Sequence, residues 1–510
     1  MHFPGWIRSL PGRNSLWLIS TVYLLIRTIR LGSLPLFNDE AIYLDWGWRE
    51  VTRPGYLFYS LYDAKPPLIM WLFGISQMLL TNQVIAGRIV SVGFGLAALL
   101  GLYTLARMYL PKTYANLTAI LYIVIPLTAF FDRQALMETP LVAGGIWFFV
   151  LLLKSRRGTW LTAVCAGVTG AIALYIKSSS AAFLAAAVLL VVYQYFADRQ
   201  GRRVFLRNIL LAGISGFLVY LPLLTAPRYL STLPTNARYS LTIAEIIALP
   251  VGHWIQTILR FTEISFWHLT PPVALLGLTG LILAVRRSET RFVGLYWLSV
   301  AGVSLLSARD LIERYSVMPL AAVPFMTALA VSAIPQKIRP LIITAVLVIT
   351  VGLTLLQAAD GSRYLGIIRA FTGFGLYEYT DGVTSGYGID EVVTFVRRSV
   401  GSRPAHIGLA LNTGNPESAV IVRFHHDPHV SVGYLDPRIY PVDFSRYDCL
   451  SSDIPVYFVS RGDDLAGLER FFKKVYEVTN PRGGNRTGVW ELSEYCSGTV
   501  YRLEHYLKAN

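Results

Sequence analysis

Apolar residues in this chain gather into long runs parted by short polar segments, and many runs approach the roughly 20 residues a helix needs to cross a bilayer. They fall near residues 14–31, 83–106, 114–131, 140–153, 159–176, 180–197, 205–224, 271–285, 292–307, 315–334 and 340–357, about eleven predicted spans. A shorter run over 67–80 follows Pro66-Pro67 and predicts an interfacial or re-entrant helix. Between the first run and this one lies a polar, aromatic-rich stretch. Asn38 there is a predicted N-cap for a surface helix from Asp39 to about Arg53, where Pro54-Gly55 ends it. A second polar stretch, 225–270, predicts short irregular elements and a surface helix near 242–260. Beyond 357 the pattern changes. "HIGLAL", "VSVGYL" and "VYFVSR" read as strands, and "DEVVTFVRR" and "LAGLERFFKK" as amphipathic helices. The expected fold class is therefore an α-helical polytopic membrane protein with a C-terminal soluble α/β domain. Residues 1–357 form the membrane domain, with large loops at 32–82 and 225–270, and 358–510 form the soluble domain.

Composition agrees. Only 15% of residues are charged, against roughly 25% in soluble domains, and the mean hydropathy is +0.49. The N-terminal run lacks a small-residue cleavage site and is followed by Arg27 and Arg30, so it reads as a first span and not as a cleaved signal.

The net charge of +14 sets a topology. With the N-terminus in the cytoplasm, the cytoplasmic segments hold Arg107 and Lys112, Lys154 to Arg157, Arg199 to Arg207, Arg286 to Arg291, and Lys337 and Arg339. The opposite face receives Asp39, Glu40, Asp63, Asp132, Glu138, Glu245, Glu263, Asp310 and Glu313. Counting 67–80 as a span would invert everything after it. The chain is thus expected to run N-terminus in and soluble domain out, as an integral membrane protein. No basic, aromatic-interleaved module suggests nucleic acid. "SGYG" (385–388) and "NTGNP" (412–416) match no phosphate-cradling loop, so an ATP-driven pump is unsupported. Of the three cysteines, Cys165 lies in an apolar run, while Cys449 and Cys496 can pair if the tail faces an oxidising compartment.

Candidate chemistry collects on the outward side. Asp39-Glu40 offers a general base at the membrane surface; as a bare pair it is better explained by the dipole at a helix start. Lys65 before Pro66-Pro67 can grip a phosphate or snorkel to headgroups. Asp132, Arg133 and Glu138 sit at a tight turn between two spans, where charges pair with each other or serve function. Lys177, Arg88 and the pair Arg314-Tyr315 stand at span boundaries, as anchors or as parts of a cationic ring for a lipid phosphate. His253, Glu263 and His268 share one loop without a tight metal-ligand spacing.

The order of these elements resembles the C-type-fold membrane glycosyltransferases, in the branch of protein O-mannosyltransferases and aminoarabinose transferases. The resemblance rests on an Asp-Glu pair after the first span, "KPPL" leading into an apolar helix, and "AGRIVSVGFG" opening the next span. It continues with an Arg-x-x-x-x-acid turn before Pro-Leu, a Lys after the fifth span and an Arg-Tyr opening a late one. It covers roughly residues 10–357, and the tail carries no assignable motif. The resemblance implies transfer of a sugar from a polyprenyl-monophosphate carrier at the outer membrane face, with inversion. It implies Asp39 as base with Glu40 beside it, and Lys65 and Arg314 toward the donor phosphate. Arg133 and Glu138 match a second-loop pair in which the family usually has Asp. A divalent cation is left open as a cofactor, with unknown ligands. The implied partners are the lipid-linked donor and a lipid, glycan or protein acceptor, in a prokaryotic plasma membrane.

Other readings remain. An oligosaccharyltransferase should carry Trp-Trp-Asp in its tail, and the motif is missing. A transporter or flippase of lipid-linked sugars should show paired halves around midplane charges. A receptor or scaffold would place its function in the tail.

Overall fold

The computed structural model describes residues 12–156, 158–197, 202–372, 377–380, 382, 384–411, 415–435, 443–461, 465, 468–480, 486–493 and 498–503. It is mostly helical. Among the described residues, Gln83–Tyr109, Glu138–Ser155, Ser178–Phe196, Arg203–Leu224 and Arg339–Ala359 are long and apolar enough to cross a membrane. Shorter apolar helices lie at Ser15–Thr28, Leu68–Leu79, Trp160–Ile176, Pro271–Arg286, Arg291–Ser307 and Val323–Ala333.

The structure differs from the expected elements at prolines. The run 114–131 is two helices, Lys112–Val124 and Pro126–Phe131, because Pro126 has no N–H and drives Ile125 to an extended conformation (ψ 124°). The run 315–334 begins with the 3-10 turn Glu313–Ser316, and its α-helix is confined to Val323–Ala333. Pro319 stands in the intervening turn. The expected surface helix near 242–260 is likewise two, Ile243–Ile247 and Val251–His268, broken at Leu249 (φ +53°) and Pro250. Leu68–Leu79 has 12 residues, about 18 Å of helix against a hydrocarbon core of roughly 30 Å.

The chain forms two compact units. The first comprises Met1–Leu31, Trp46–Ile75 and Gly87–Gly375. Its helices pack through small residues, which let backbones approach. A Cβ on Gly167 would overlap the Ala212 carbonyl, where helix Trp160–Ile176 meets Arg202–Leu224.

The second unit comprises Gly32–Asp45, Ser76–Ala86 and Leu376–Asn510. Its five-stranded sheet uses β1 (Ala405–Leu409), β2 (Val430–Tyr434), β4 (Val456–Arg461), β5 (Phe472–Thr479) and β6 (Arg486–Leu492) in the order β2-β1-β4-β6-β5. β1 pairs parallel with β2 and β4, and β6 pairs antiparallel with β4 and β5. Every residue of β1 is buried, His406 included, as expected of a strand paired on both edges within the sheet. Cys449–Ser451 (β3) and Val500–Arg502 (β7) make a second, two-stranded sheet. "DEVVTFVRR" lies in helix Ile389–Val400, which buries Ile389, Val392, Val393, Val396 and Val400. "LAGLERFFKK" is not the expected helix: Glu469–Phe471 is a 3-10 turn and β5 starts at Phe472. Leu465, Leu468, Phe471 and Phe472 reach the core by that route, because pairing of Phe472 with Leu492 on β6 overrides the helical spacing. Cys449 is disulfide-bonded, Cys496 lies outside the described residues, and Cys165 is a free thiol.

Candidate active site

The Asp-Glu pair lies in the first turn of helix Asn38–Thr52. Glu40 is fully buried, and its carboxylate accepts the Phe37 N–H at 3.3 Å, satisfying a donor the helix start leaves open. Asp39 is half-buried. Within the second unit this helix start is tied to tail segments. Asn38 N–H donates to the Thr384 carbonyl at 3.0 Å, and the Asn415 amide donates to the carbonyls of Leu36 (3.1 Å) and Thr384 (3.2 Å). Farther along, Asp45 Oδ1 lies 3.1 Å from His425 Nε2. The tail's grip on the Asp39 turn was not legible in the sequence, because the partners are over 300 residues apart.

Lys65 is placed by the first unit. Gly55 (φ +83°) closes the surface helix, and Tyr59–Asp63 forms a 3-10 turn. Ala64 takes a left-handed conformation (φ +53°) before Lys65, and Pro66-Pro67 lead into helix Leu68–Leu79. In a 3-10 turn, positions three apart eclipse. Tyr59 and Tyr62 accordingly have centroids 5.7 Å apart, and Tyr56, just before the turn, lies 5.4 Å from Tyr59. Lys65 Nζ lies 3.8 Å from Asp63 and 4.3 Å from the centre of the Tyr239 ring. Tyr239 is fixed by backbone pairing: its carbonyl accepts the Arg309 N–H at 3.2 Å, and Leu241 N–H donates to Ser307 at 2.8 Å.

Lys177, Glu138, Arg314 and Tyr315 come together. Lys177 ends helix Trp160–Ile176 in an extended conformation, and its ammonium meets Glu138 at 2.6 Å. The same ammonium lies 5.0 Å from the centre of the Tyr315 ring, and the Arg314 guanidinium 5.2 Å from it. Glu138 opens helix Glu138–Ser155, where a carboxylate is favoured by the dipole. Beside this group Arg260 reaches Glu313 (3.4 Å) and Glu263 (3.1 Å). Burial pushes His268 down to about 4, with the Glu313 carboxylate opposing and Arg260 adding to the shift, so the ring is neutral at pH 7.

The remaining expected cations lie against backbone carbonyls. Arg88 is fully buried and donates to the Leu31 carbonyl at 2.8 Å. Arg133 donates to the carbonyls of Ile29 (2.7 Å) and Arg30 (3.1 Å), closing the end of the first apolar helix. Arg133 pairs with neither Asp132, which binds Arg27, nor Glu138, which binds Lys177. Asp132 instead binds Arg27 (3.1 Å) and accepts from Tyr23, Tyr122 and Thr139.

Sequence reading missed Arg27, Asp63 as a partner of Lys65, Tyr239, Arg260 and Glu50. The last is 3% exposed; its Oε1 accepts the Ser60 N–H at 2.7 Å, and burial pushes its carboxyl up to about 8. An acid in the last turn of a helix, where the dipole disfavours it, was the available signal. Among the described residues no group of three or more His, Cys, Asp or Glu side chains is disposed to hold a metal ion.

Residues 64–225 match the family model described as dolichyl-phosphate-mannose-protein mannosyltransferase. No curated protein matches the sequence. Among solved structures, the fold is similar to ArnT from Cupriavidus metallidurans bound to undecaprenyl phosphate, with a TM-score of 0.63 at 14% identity, covering 96% of this chain and 100% of that one. The apo form of the same protein gives 0.59 at 13% identity, covering 93% and 97%. The Archaeoglobus fulgidus oligosaccharyltransferase tethered to an acceptor peptide gives 0.52 at 12%, covering 96% and 74%.

Proposed function

We propose, for a chain with the C-type glycosyltransferase fold and a mannosyltransferase-family match over residues 64–225, that it transfers a sugar from a polyprenyl-monophosphate carrier to an acceptor. The transfer takes place at the outer membrane face, with inversion. Such a donor is already activated. Catalysis then needs a base on the acceptor and cations on the departing phosphate, held in line. The acceptor O–H or N–H gives its proton to the Asp39 carboxylate while its heteroatom attacks the anomeric carbon. The bond from that carbon to the phosphate oxygen breaks, and the electron pair leaves with the polyprenyl phosphate. Lys65, Lys177 and Arg314 meet the charge that develops there, and the Tyr315 ring holds the latter two side chains over one spot.

The observation that carries the reading is the gathering of Lys177, Glu138, Arg314 and Tyr315 from three distant segments. An ammonium and a guanidinium brought over one aromatic ring suit a phosphate ester, and ArnT, of the same fold, binds a polyprenyl phosphate. The test uses purified protein in lipid with a panel of polyprenyl-phosphate sugars and acceptors. Acceptor-dependent release of polyprenyl phosphate should fall at least about 100-fold in Asp39→Asn, the scale of a lost general base. Equal release by wild type and variant removes Asp39 from that role, and acceptor-independent movement of the donor across the bilayer without release favours a transporter.

A further inference from the structure

Glu50 belongs to no charge pair among its described contacts. It sits in the last turn of helix Asn38–Thr52, and its one hydrogen-bonded oxygen reaches ten residues forward to the Ser60 N–H. The other oxygen is buried without a protein partner. Ser60 is the second residue of the 3-10 turn Tyr59–Asp63, whose N-terminal donors have no side-chain cap from Phe58. Glu50 supplies that cap from the neighbouring helix.

Ser60 also faces Lys65. Its carbonyl accepts the Lys65 N–H at 3.2 Å. One residue thus joins the buried acid through its N–H to the lysine backbone through its carbonyl. The stem of this loop is closed by contact between helices: a Cβ on Gly47 would overlap the Met70 carbonyl, and one on Gly74 would overlap the Gly47 carbonyl. Helices Asn38–Thr52 and Leu68–Leu79 are locked at their crossing, the loop between them is bolted at Ser60, and Pro66-Pro67 remove the freedom left after Lys65.

We propose that Glu50 is a positioning residue that fixes Lys65 for the donor phosphate by holding the Ser60 peptide. The proposal rests on the reading of Lys65 given above. A buried hydrogen bond to a loop backbone sets a side chain more tightly than loop packing alone, and a phosphate grip needs placement within fractions of an ångström. Burial keeps the Glu50 carboxyl largely protonated at pH 7, so glutamine is its close mimic.

The test measures binding of sugar-free polyprenyl phosphate to the full chain in lipid. Lys65→Ala should weaken binding about tenfold or more, as expected for a lost charge-assisted contact. Glu50→Leu should weaken it comparably, and the double variant by no more than the stronger single change. Glu50→Gln, which keeps an acceptor for Ser60, should restore binding to within about twofold of wild type. Should Glu50→Leu fold poorly, Ser60→Pro deletes the same donor in a first turn that accepts proline, and it should weaken binding likewise. Full binding by Lys65→Ala overturns the donor-phosphate reading of that lysine. Weak binding by Lys65→Ala with full binding by Glu50→Leu or Ser60→Pro overturns the role of Glu50 alone, as do additive losses in the double variant or failure of Gln to rescue.

Discussion

Asp132 and Glu138 lie six residues apart and are used differently. Asp132 accepts four hydrogen bonds, from Tyr23, Arg27, Tyr122 and Thr139, at 3.0–3.1 Å. Gly95 leaves the room, since a Cβ there would overlap the Tyr23 hydroxyl. All its acceptor positions are spoken for, so it holds the first apolar helix to its neighbours. Glu138 meets the Lys177 ammonium and stays next to the Arg314-Tyr315 turn. Asp132→Ala leaves the Arg27 guanidinium buried without its carboxylate, and a broken buried pair costs on the order of 3–5 kcal/mol. The expected outcome is a large drop in thermal stability in detergent. Glu138→Gln, which keeps an acceptor for the partly exposed Lys177 ammonium, should cost less.

At the scale of elements, the loop 53–67 depends on the crossing beneath it. Gly47 and Gly74 bring two helix backbones into contact, and no larger residue fits without moving them. Gly47→Val should therefore cost about 1–3 kcal/mol as overpacking. It should also lower transfer activity, because the displaced helix carries Lys65 with it. Gly93→Ala is the control: nothing lies within 4 Å of a Cβ at that helical position, so stability should hold or rise by up to about 1 kcal/mol. Thermal unfolding and turnover of the two variants side by side check both expectations. Helix positions were legible from apolar runs because that signal is local. The breaks at Pro126 and at Leu249-Pro250 were written in the sequence too, as residues that cannot continue a helix. β5 was not, because its strand state comes from pairing with β6.

For the whole molecule, the alternation of basic and acidic connections predicts sidedness. Single cysteines in a cysteine-free background should report it through an impermeant maleimide. A cysteine at Tyr62, which is 60% exposed, should label from outside. One at Arg156, beside the basic turn, should label only after the membrane is opened. Labelling of both from the same side would overturn the topology and, with it, the outer-face reading of Asp39 and Lys65.

The sequence by itself determined the helical membrane class, the α/β tail and the residue types of the site, because hydropathy, period and charge bias are read over neighbouring positions. It also placed Lys65 and Lys177 at helix boundaries, where proline and charge mark the ends. Only the tertiary structure decided which charges meet. Arg88 and Arg133 turned to backbone carbonyls of the first apolar helix and Asp132 to Arg27, while Lys177 and Arg314 converged on Tyr315. Those choices depend on helix rotation and on close approaches at glycines such as Gly95 and Gly47, which no local pattern records. Each is settled by burial: a guanidinium or carboxylate removed from water takes whichever partner the packed helices bring within reach.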